Sequence, residues 1–573
     1  MTTPSDETEH TSTEAHTVPA SHLRAIGPNG GDLLVRVMRE AGVEVAFGVV
    51  SIHNLPLVEA IDRDLRFVPV RHEAAAINAA DGYARASGRI GVAITSTGTG
   101  AGNAAGSMLE ALTAQSRVLH VTGNINAELI GEHKGAYHEV PRQLAMLTAI
   151  SQHALRIGTP KQALPVLTEA VRLLGTPPHG PVSVDWPIDL QYLADPHDQN
   201  RVDDREPRTR TGNRRDIERA ASLMRAARRP LIWAGGGARR VGPSLSALAE
   251  AWGAGVLTGA NGRGSVAEDH PLAIGNFASD PEVVALIEQA DCLLTVGSHL
   301  RANETLTFTL PLPAAHVQVD LSADALGRNF PIEVGLQADA TAVVPALLEG
   351  LGAVEPDPDW ADRVAAAAAS ARARHRGDIG AYAAISDALR KRLPRRSPIV
   401  RDVTIPGSSW GNRLLSVYDP TDNVYAAGGG IGQGLAMAIG AAIARPDVPV
   451  LGIVGDGGLQ VHLGELAVLA QERAHVVLVL FNDGGYGVLR NLQHAGDRPA
   501  RAVDLATPDF GGLARAMGLK HRRVGDVEGF DKALKKAVKR DGPTVIEVDV
   551  AALEPSPLDL IPPSTVPEGA RAE

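Results

Sequence analysis

The chain has 573 residues, enough for about three to four domains at the usual ~150 residues each, and its 60 glycines suit an α/β enzyme with many strand-to-helix turns. A formal net charge of −11 without a basic block argues against nucleic acid as a partner, and no apolar run approaches the ~20 residues that a membrane span needs. The single cysteine, Cys292, excludes an intrachain disulfide and a thiolate metal cluster, and with a polar N-terminus lacking a signal-peptide core it points to a cytoplasmic protein.

Residues 1–28 are rich in Thr, Ser, Glu and His and have nothing to bury, so they read as a disordered arm. From Gly30 the pattern is helix, strand (Val45 to Val49), the turn VVSIHNLP, strand (Leu65 to Val70), and an Ala-rich helix opened by Arg71-His72-Glu73. Strand Ile90 to Thr95 then breaks into the glycine-rich turn from Ser96 to Asn103, strand Arg117 to Thr122 follows, and PVSVDWP closes the unit near residue 190. This alternation predicts a doubly wound parallel sheet over 29–190. Residues 191–215 are charged and loop-like, and a second unit with strands PLIWA, DCLLTV and HVQVDLS covers 216–351. Gly235-Gly236-Gly237 after its first strand is a weak dinucleotide-type signal. Cys292 sits among apolar neighbours and reads as core. Residues 352–377 form a linking helix, a third unit spans 378–553, and the proline-rich 554–573 is a tail or a lid.

The third unit holds the most informative stretch. Strand Val450 to Val454 runs into Gly455-Asp456-Gly457-Gly458, an apolar-spaced helix follows, and strand Val476 to Phe481 delivers Asn482-Asp483-Gly484-Gly485-Tyr486-Gly487 to the same sheet edge. Open α/β sheets bind ligands at that edge. Asp456, Asp483 and the Gly485 carbonyl are three hard oxygen donors that leave half an octahedron open, which suits Mg²⁺ carrying phosphate oxygens. The glycines allow the backbone to approach a diphosphate closely. Taken singly, an acid at a strand-ending turn or a helix start has a bland explanation in turn chemistry and the helix dipole.

Together these segments resemble the thiamine diphosphate-dependent enzymes. The resemblance rests on GDG to NDGGYG, on RHEAAAINAADGYARASG with the turn ending at Asn103, and on Ala427-Gly428-Gly429-Gly430-Ile431-Gly432. It implies three α/β domains: pyrimidine-binding, middle and diphosphate-binding. It implies that Glu73 bonds the coenzyme's aminopyrimidine, that Gly429 offers its carbonyl to the 4′-amino group, and that Ile431 is the apolar wedge beneath the coenzyme. The second metal position is usually Asn in this family, and Asp483 adds a negative charge there. His138 stands where relatives commonly carry a Gln facing substrate, and Ser96 where benzoylformate decarboxylase has a catalytic His. His53, Ser96 and His138 are the candidate polar contacts to substrate.

The resemblance further implies an active unit of at least a homodimer, with a tetramer expected. The most similar branch is the acetolactate synthases, implying a 2-oxo acid decarboxylase or carboligase. The turn around Ile52 is closer to oxalyl-CoA decarboxylase and 2-hydroxyacyl-CoA lyase, which would act on a 2-hydroxyacyl-CoA. A non-catalytic coenzyme-binding paralogue is the alternative outside enzymes. The middle domain of relatives binds FAD, an adenine nucleotide, or nothing.

Overall fold

The computed structural model describes residues 27–199 and 209–557. Most of the N-terminal arm, part of the 191–215 linker and the tail beyond 557 lie outside them. Three six-stranded sheets, all parallel, follow one another along the chain.

The first contains β1 (Val45–Gly48), β2 (Arg66–Pro69), β3 (Gly91–Thr95), β4 (Val118–Asn124), β5 (His153–Arg156) and β6 (Val182–Pro187), in the order β2-β1-β3-β4-β6-β5. The middle sheet contains β7 (Pro230–Ala234), β8 (Gly255–Thr258), β9 (Ala273–Gly275), β10 (Cys292–Val296), β11 (His316–Asp320) and β12 (Val334–Gln337), ordered β12-β11-β10-β7-β8-β9. The third contains β13 (Ile399–Arg401), β14 (Asn423–Tyr425), β15 (Val450–Gly455), β16 (Val476–Asn482), β17 (Lys520–Val524) and β18 (Thr544–Asp549), ordered β14-β13-β15-β16-β18-β17.

The first and third sheets therefore share one strand order, and the middle sheet has the 3-2-1-4-5-6 order of dinucleotide-binding folds. In each, the strand order reverses at one crevice: between β1 and β3, between β7 and β10, and between β13 and β15. The central strands are continuous apolar runs because helices cover both faces. Edge strand β5 is half-exposed and polar in part, which is why it carries no clear strand signal.

The first and third units share a core. Helix Glu73–Ser87 packs along helix Gly434–Ala444, and both are buried over most of their length. A Cβ at Gly82 would run into the Met437 carbonyl and one at Gly440 into that of Ala79, so these two glycines set the closeness of approach.

Two elements differ from expectation. The segment expected to link the middle and third units is helix Trp360–Asp378, and it belongs to the middle core: Trp360, Val364, Ala368 and Ala371 are buried there and the Trp360 indole donates to the Pro230 carbonyl. The single helix expected after Asp456 is two, Asp456–Val461 and Glu465–Gln471, broken by a turn at His462 to Gly464. Cys292 is buried as expected, with its thiol pushed up to about 12 chiefly by burial. Among the described residues no helix is long and apolar enough to cross a membrane.

Candidate active site

At the crevice of the first sheet, Asn54 shapes the turn after β1. Its side chain accepts from the Ser51 amide (2.7 Å) and donates to the Val49 carbonyl (3.0 Å), presenting His53 inward. His53 is 6 % exposed, and burial first, then His138, lowers its pKa to about 4, so it is neutral at pH 7. The Nδ1 atoms of His53 and His138 lie 3.4 Å apart, and His138 adopts a left-handed φ of 65° that turns it toward its partner. Tyr137 stacks on His138 and is itself 72 % exposed.

The turn after β3 brings in Ser96, whose buried hydroxyl has no hydrogen-bond partner among the described residues. Gln143 pins this turn, accepting from the Thr97 hydroxyl (2.9 Å) and the Gly98 amide (2.8 Å) while donating to the Gly123 carbonyl (2.9 Å). The Cβ position of Gly100 lies 2.8 Å from the Ser96 Cβ and 2.9 Å from a Glu73 carboxylate oxygen. Glu73 opens its helix behind the N-cap His72, whose ring accepts from the Ala74 amide, and the dipole favours its charge there. Its carboxylate accepts from Asn103 (3.0 Å). The structure thus gathers His53, Ser96, Glu73, Asn103 and His138 at one sheet edge. Glu73 is only partly buried and Asn103 is exposed, so this half of the site is open.

At the crevice of the third sheet, β15 leads directly into Asp456, 1 % exposed. One of its oxygens accepts from the Asp483 amide (3.3 Å), and the other is buried without a partner. The polar turn after β16 is tied down around one free atom. Arg490 donates to the carbonyls of Asp483 and Gly484 (both 3.3 Å) and the Leu505 amide donates to Gly484 (2.9 Å), while no hydrogen bond among the described residues ends on the Gly485 carbonyl. Tyr486 is fixed by its backbone amide, which donates a hydrogen bond to the Val503 carbonyl (2.8 Å), and its ring lies against Gly457. Burial and the neighbouring Asp456 push Asp483 up to about 7, and burial raises Asp456. A buried and a half-buried carboxylate that repel each other, an orphaned carboxylate oxygen and a free carbonyl fit a hard divalent cation of Mg²⁺ type. Among the described residues no group of three or more His, Cys, Asp and Glu could hold a metal, so an ion here would keep open positions for phosphate oxygens.

Beside this cradle runs the loop 427–433. Gly429 has a φ of 87°, which favours glycine, and Ile431 projects an apolar side chain that is 38 % exposed.

Four buried polar residues that build the site escaped sequence reading: Gln143, Glu110, Asp402 and Glu465. Glu110 accepts from the Gly428 and Gly430 amides, Asp402 from Gly432, and Glu465 from the Arg71 amide. Among them only Glu110 leaves a trace, as an acid inside an apolar helix among Ala105, Met108 and Ala111.

A third crevice, between the first and middle units, encloses ≈ 390 Å³. The turns after β7 and β10 contribute Gly236, Gly237 and Gly297, and Arg117, Arg239 and Arg240 line it. Burial, then Arg85, lowers Arg239 to about 10, and burial with Arg117 and Arg240 lowers His179 to about 4. Asp320 and Asp339 also line the crevice, and Arg240 pairs with Asp339 at 3.8 Å, so the carboxylates offset only part of the positive charge.

Family models match the chain in three places: the thiamine pyrophosphate enzyme N-terminal TPP binding domain over 28–146, the central domain over 217–347, and the C-terminal TPP binding domain over 407–548. A probable 2-ketoarginine decarboxylase of Pseudomonas aeruginosa is 30 % identical over 90 % of this chain and 93 % of its own length. The chain belongs to the thiamine pyrophosphate enzymes. Other relatives in this family are a probable acetolactate synthase large subunit of Methanococcus aeolicus, 28 % identical over 93 % of this chain and 94 % of its own length, and acetolactate synthase isozyme 2 large subunit of Escherichia coli, 28 % identical over 93 % and 98 %. Family membership makes this protein a thiamine diphosphate-dependent enzyme acting on carbon–carbon bonds.

Proposed function

We propose that the protein is a thiamine diphosphate- and Mg²⁺-dependent 2-oxo acid decarboxylase or carboligase. The observation that carries this reading is the pairing of Asp456 and Asp483 with the free Gly485 carbonyl at the crevice of the third sheet. The names of the relatives, a decarboxylase and two acetolactate synthases, support the 2-oxo acid class.

When bound, the coenzyme supplies the nucleophilic carbon and the electron sink for the bond being broken or made. Asp456, Asp483 and Gly485 would hold the ion and with it the diphosphate, with Gly455, Gly457, Gly458 and Gly487 giving the backbone room and Tyr486 bracing the turn. The Gly429 carbonyl would be the acceptor for the pyrimidine amino group, and Ile431 would supply an apolar support for the coenzyme. Glu73, steadied by Asn103, exchanges a proton with the pyrimidine ring nitrogen. His53, His138 and Ser96 receive the substrate. The ring of His53, neutral at pH 7, can donate to a substrate carboxylate.

The active unit is at least a homodimer and by family a tetramer, because the half of the site around Glu73 and Asn103 lies open on the single chain. The cationic crevice at the switch point of the middle sheet takes a diphosphate-bearing nucleotide, FAD or an adenine nucleotide. An adenine-containing acyl-CoA is the form in which the 2-hydroxyacyl-CoA reading would use it.

The test offers pyruvate, 2-ketoarginine, benzoylformate and a 2-hydroxyacyl-CoA to the purified protein with thiamine diphosphate and Mg²⁺. The expected result is CO₂ release from at least one 2-oxo acid that vanishes without the coenzyme. Turnover of the acyl-CoA alone would replace this reading, and no calorimetric uptake of the coenzyme would end it. A visible absorption spectrum decides the flavin.

A further inference from the structure

The loop 427–433 has to present the Gly429 carbonyl and the Ile431 side chain in one fixed geometry, yet it lacks regular structure and four of its residues are glycine. Its alternate amides are all taken by buried carboxylates. Glu110 accepts from the Gly428 amide at 2.6 Å with one oxygen and from the Gly430 amide at 2.5 Å with the other. Asp402 accepts from the Gly432 amide with both oxygens, at 3.1 and 3.0 Å. The residue between the two amides held by Glu110 is Gly429.

Asp402 belongs to the same unit as the loop, following β13, but Glu110 does not. It lies on helix Ala105–Thr113 of the first unit and is 4 % exposed. A second tie sits one turn away on that helix, where the Ser107 hydroxyl donates to Gln433 at 3.1 Å. No Lys or Arg among the described residues forms an ion pair with Glu110. A buried carboxylate without a cation is costly unless donors satisfy it, and its donors here are the two loop amides.

We infer that Glu110 is a positioning residue for the coenzyme. It fixes the peptide planes on either side of Gly429, so that the placement of the first unit sets the aim of the Gly429 carbonyl and the height of the Ile431 wedge. This rests on the thiamine diphosphate reading above. Glu110 itself touches neither coenzyme nor substrate and acts only through the loop. Glu110→Gln keeps the shape but turns an NH₂ group onto one of the two amides, donor against donor. Glu110→Asp keeps the charge but is one methylene short, so it reaches one amide at a time.

The experiment measures amide hydrogen exchange of the segment 427–433 in the coenzyme-free protein, wild type against both variants, together with thiamine diphosphate affinity by calorimetry in Mg²⁺. The expected result is a protected segment in wild type and faster exchange confined to that segment in Glu110→Gln. Coenzyme affinity then falls about tenfold with the loss of a charge-assisted bond and an amide left facing a donor. Glu110→Asp lies between, and the loss in turnover falls on kcat rather than on substrate KM. The inference is overturned if the wild-type segment exchanges as fast as an exposed loop, a result that needs no variant to fold. It is equally overturned if Glu110→Gln leaves both exchange and affinity unchanged. Should wild type fail to take up the coenzyme, the functional reading fails, while the exchange comparison still decides whether Glu110 holds the loop.

Discussion

Asp456 and Asp483 approach each other through a single backbone amide, and the second oxygen of Asp456 has no protein partner. Like charges held side by side call for a cation, so Mg²⁺ and thiamine diphosphate should stabilise the native protein more than either alone. At a hundredfold excess over the dissociation constant, binding adds about 2.7 kcal/mol, a rise of a few degrees in melting temperature. Asp456→Ala should abolish that rise in a thermal melt while leaving the ligand-free midpoint little changed. Glu73 makes a separate prediction. Glu73→Gln keeps the hydrogen bond from Asn103 and the shape of the pocket but cannot exchange a proton. Turnover should drop on the order of a hundredfold or more while calorimetric coenzyme affinity stays within tenfold. Wild-type turnover in this variant would remove Glu73 from the mechanism. Asp456, Asp483, Glu73 and Ile431 were legible in the sequence because each sits in a short motif whose neighbours share its task. Glu110 was not, because its partner Gly428 lies 318 residues away and only the packing of two units brings them together.

The helix break after Val461 shows the same limit at the level of elements. Leu459 before it, Leu463 within it and Leu466 and Leu469 after it keep helical spacing across the break, so periodicity alone reads one helix. The interruption starts a fresh helix at Glu465, whose carboxylate accepts from the Arg71 amide at 3.0 Å, just before the helix that carries Glu73. The helix of Trp360 is the converse case. Its alanine-rich surface looks like a connector, and only the sheet beneath it shows that Trp360 and Val364 fill a core. Glu465 has a consequence for stability. It is 1 % exposed, one oxygen has no partner, and burial pushes it up to about 7 from 4.5. Between those values the native state holds a proton that the unfolded chain has released. Stability therefore falls as pH rises from about 4.5 to about 7 and is level, for this group, above that. Glu465→Gln retains an acceptor for Arg71 and carries no charge. It should be more stable than wild type at pH 8 by about 1–3 kcal/mol and equal to it near pH 4, measured by denaturant unfolding. A variant less stable than wild type at pH 8 would mean that Glu465 is held as a carboxylate.

Over the whole molecule, the shared strand order of the first and third sheets and the different order of the middle one divide the labour. Three parallel sheets could be read from the alternation of strands and helices, but strand order could not, since it depends on which strands pair across hundreds of residues. The order matters because it places each crevice: His53 and Ser96 at the first, Asp456 at the third, and the arginine-lined space at the middle one. It leaves Glu73 and the paired Asp456 and Asp483 in different units, at the crevices of different sheets. Glu73 is bonded to Asn103 of its own unit, in an open half-site, rather than to the loop of Asp456. If the two halves close between subunits, each site takes Glu73 from one chain and Asp456 from its partner. Glu73→Gln and Asp456→Ala protomers, each inactive alone, then complement one another. A mixed dimer of the two holds one site with both defects and one with neither. Random reassortment should restore about a quarter of wild-type activity, since about half of the dimers are mixed and each has one intact site of two. The measurement is activity after the two variants are dissociated and reassociated together, with each reassociated alone as the control. No recovery, with mixed dimers demonstrated by differently tagged chains, would place Glu73 and Asp456 of one site on the same chain.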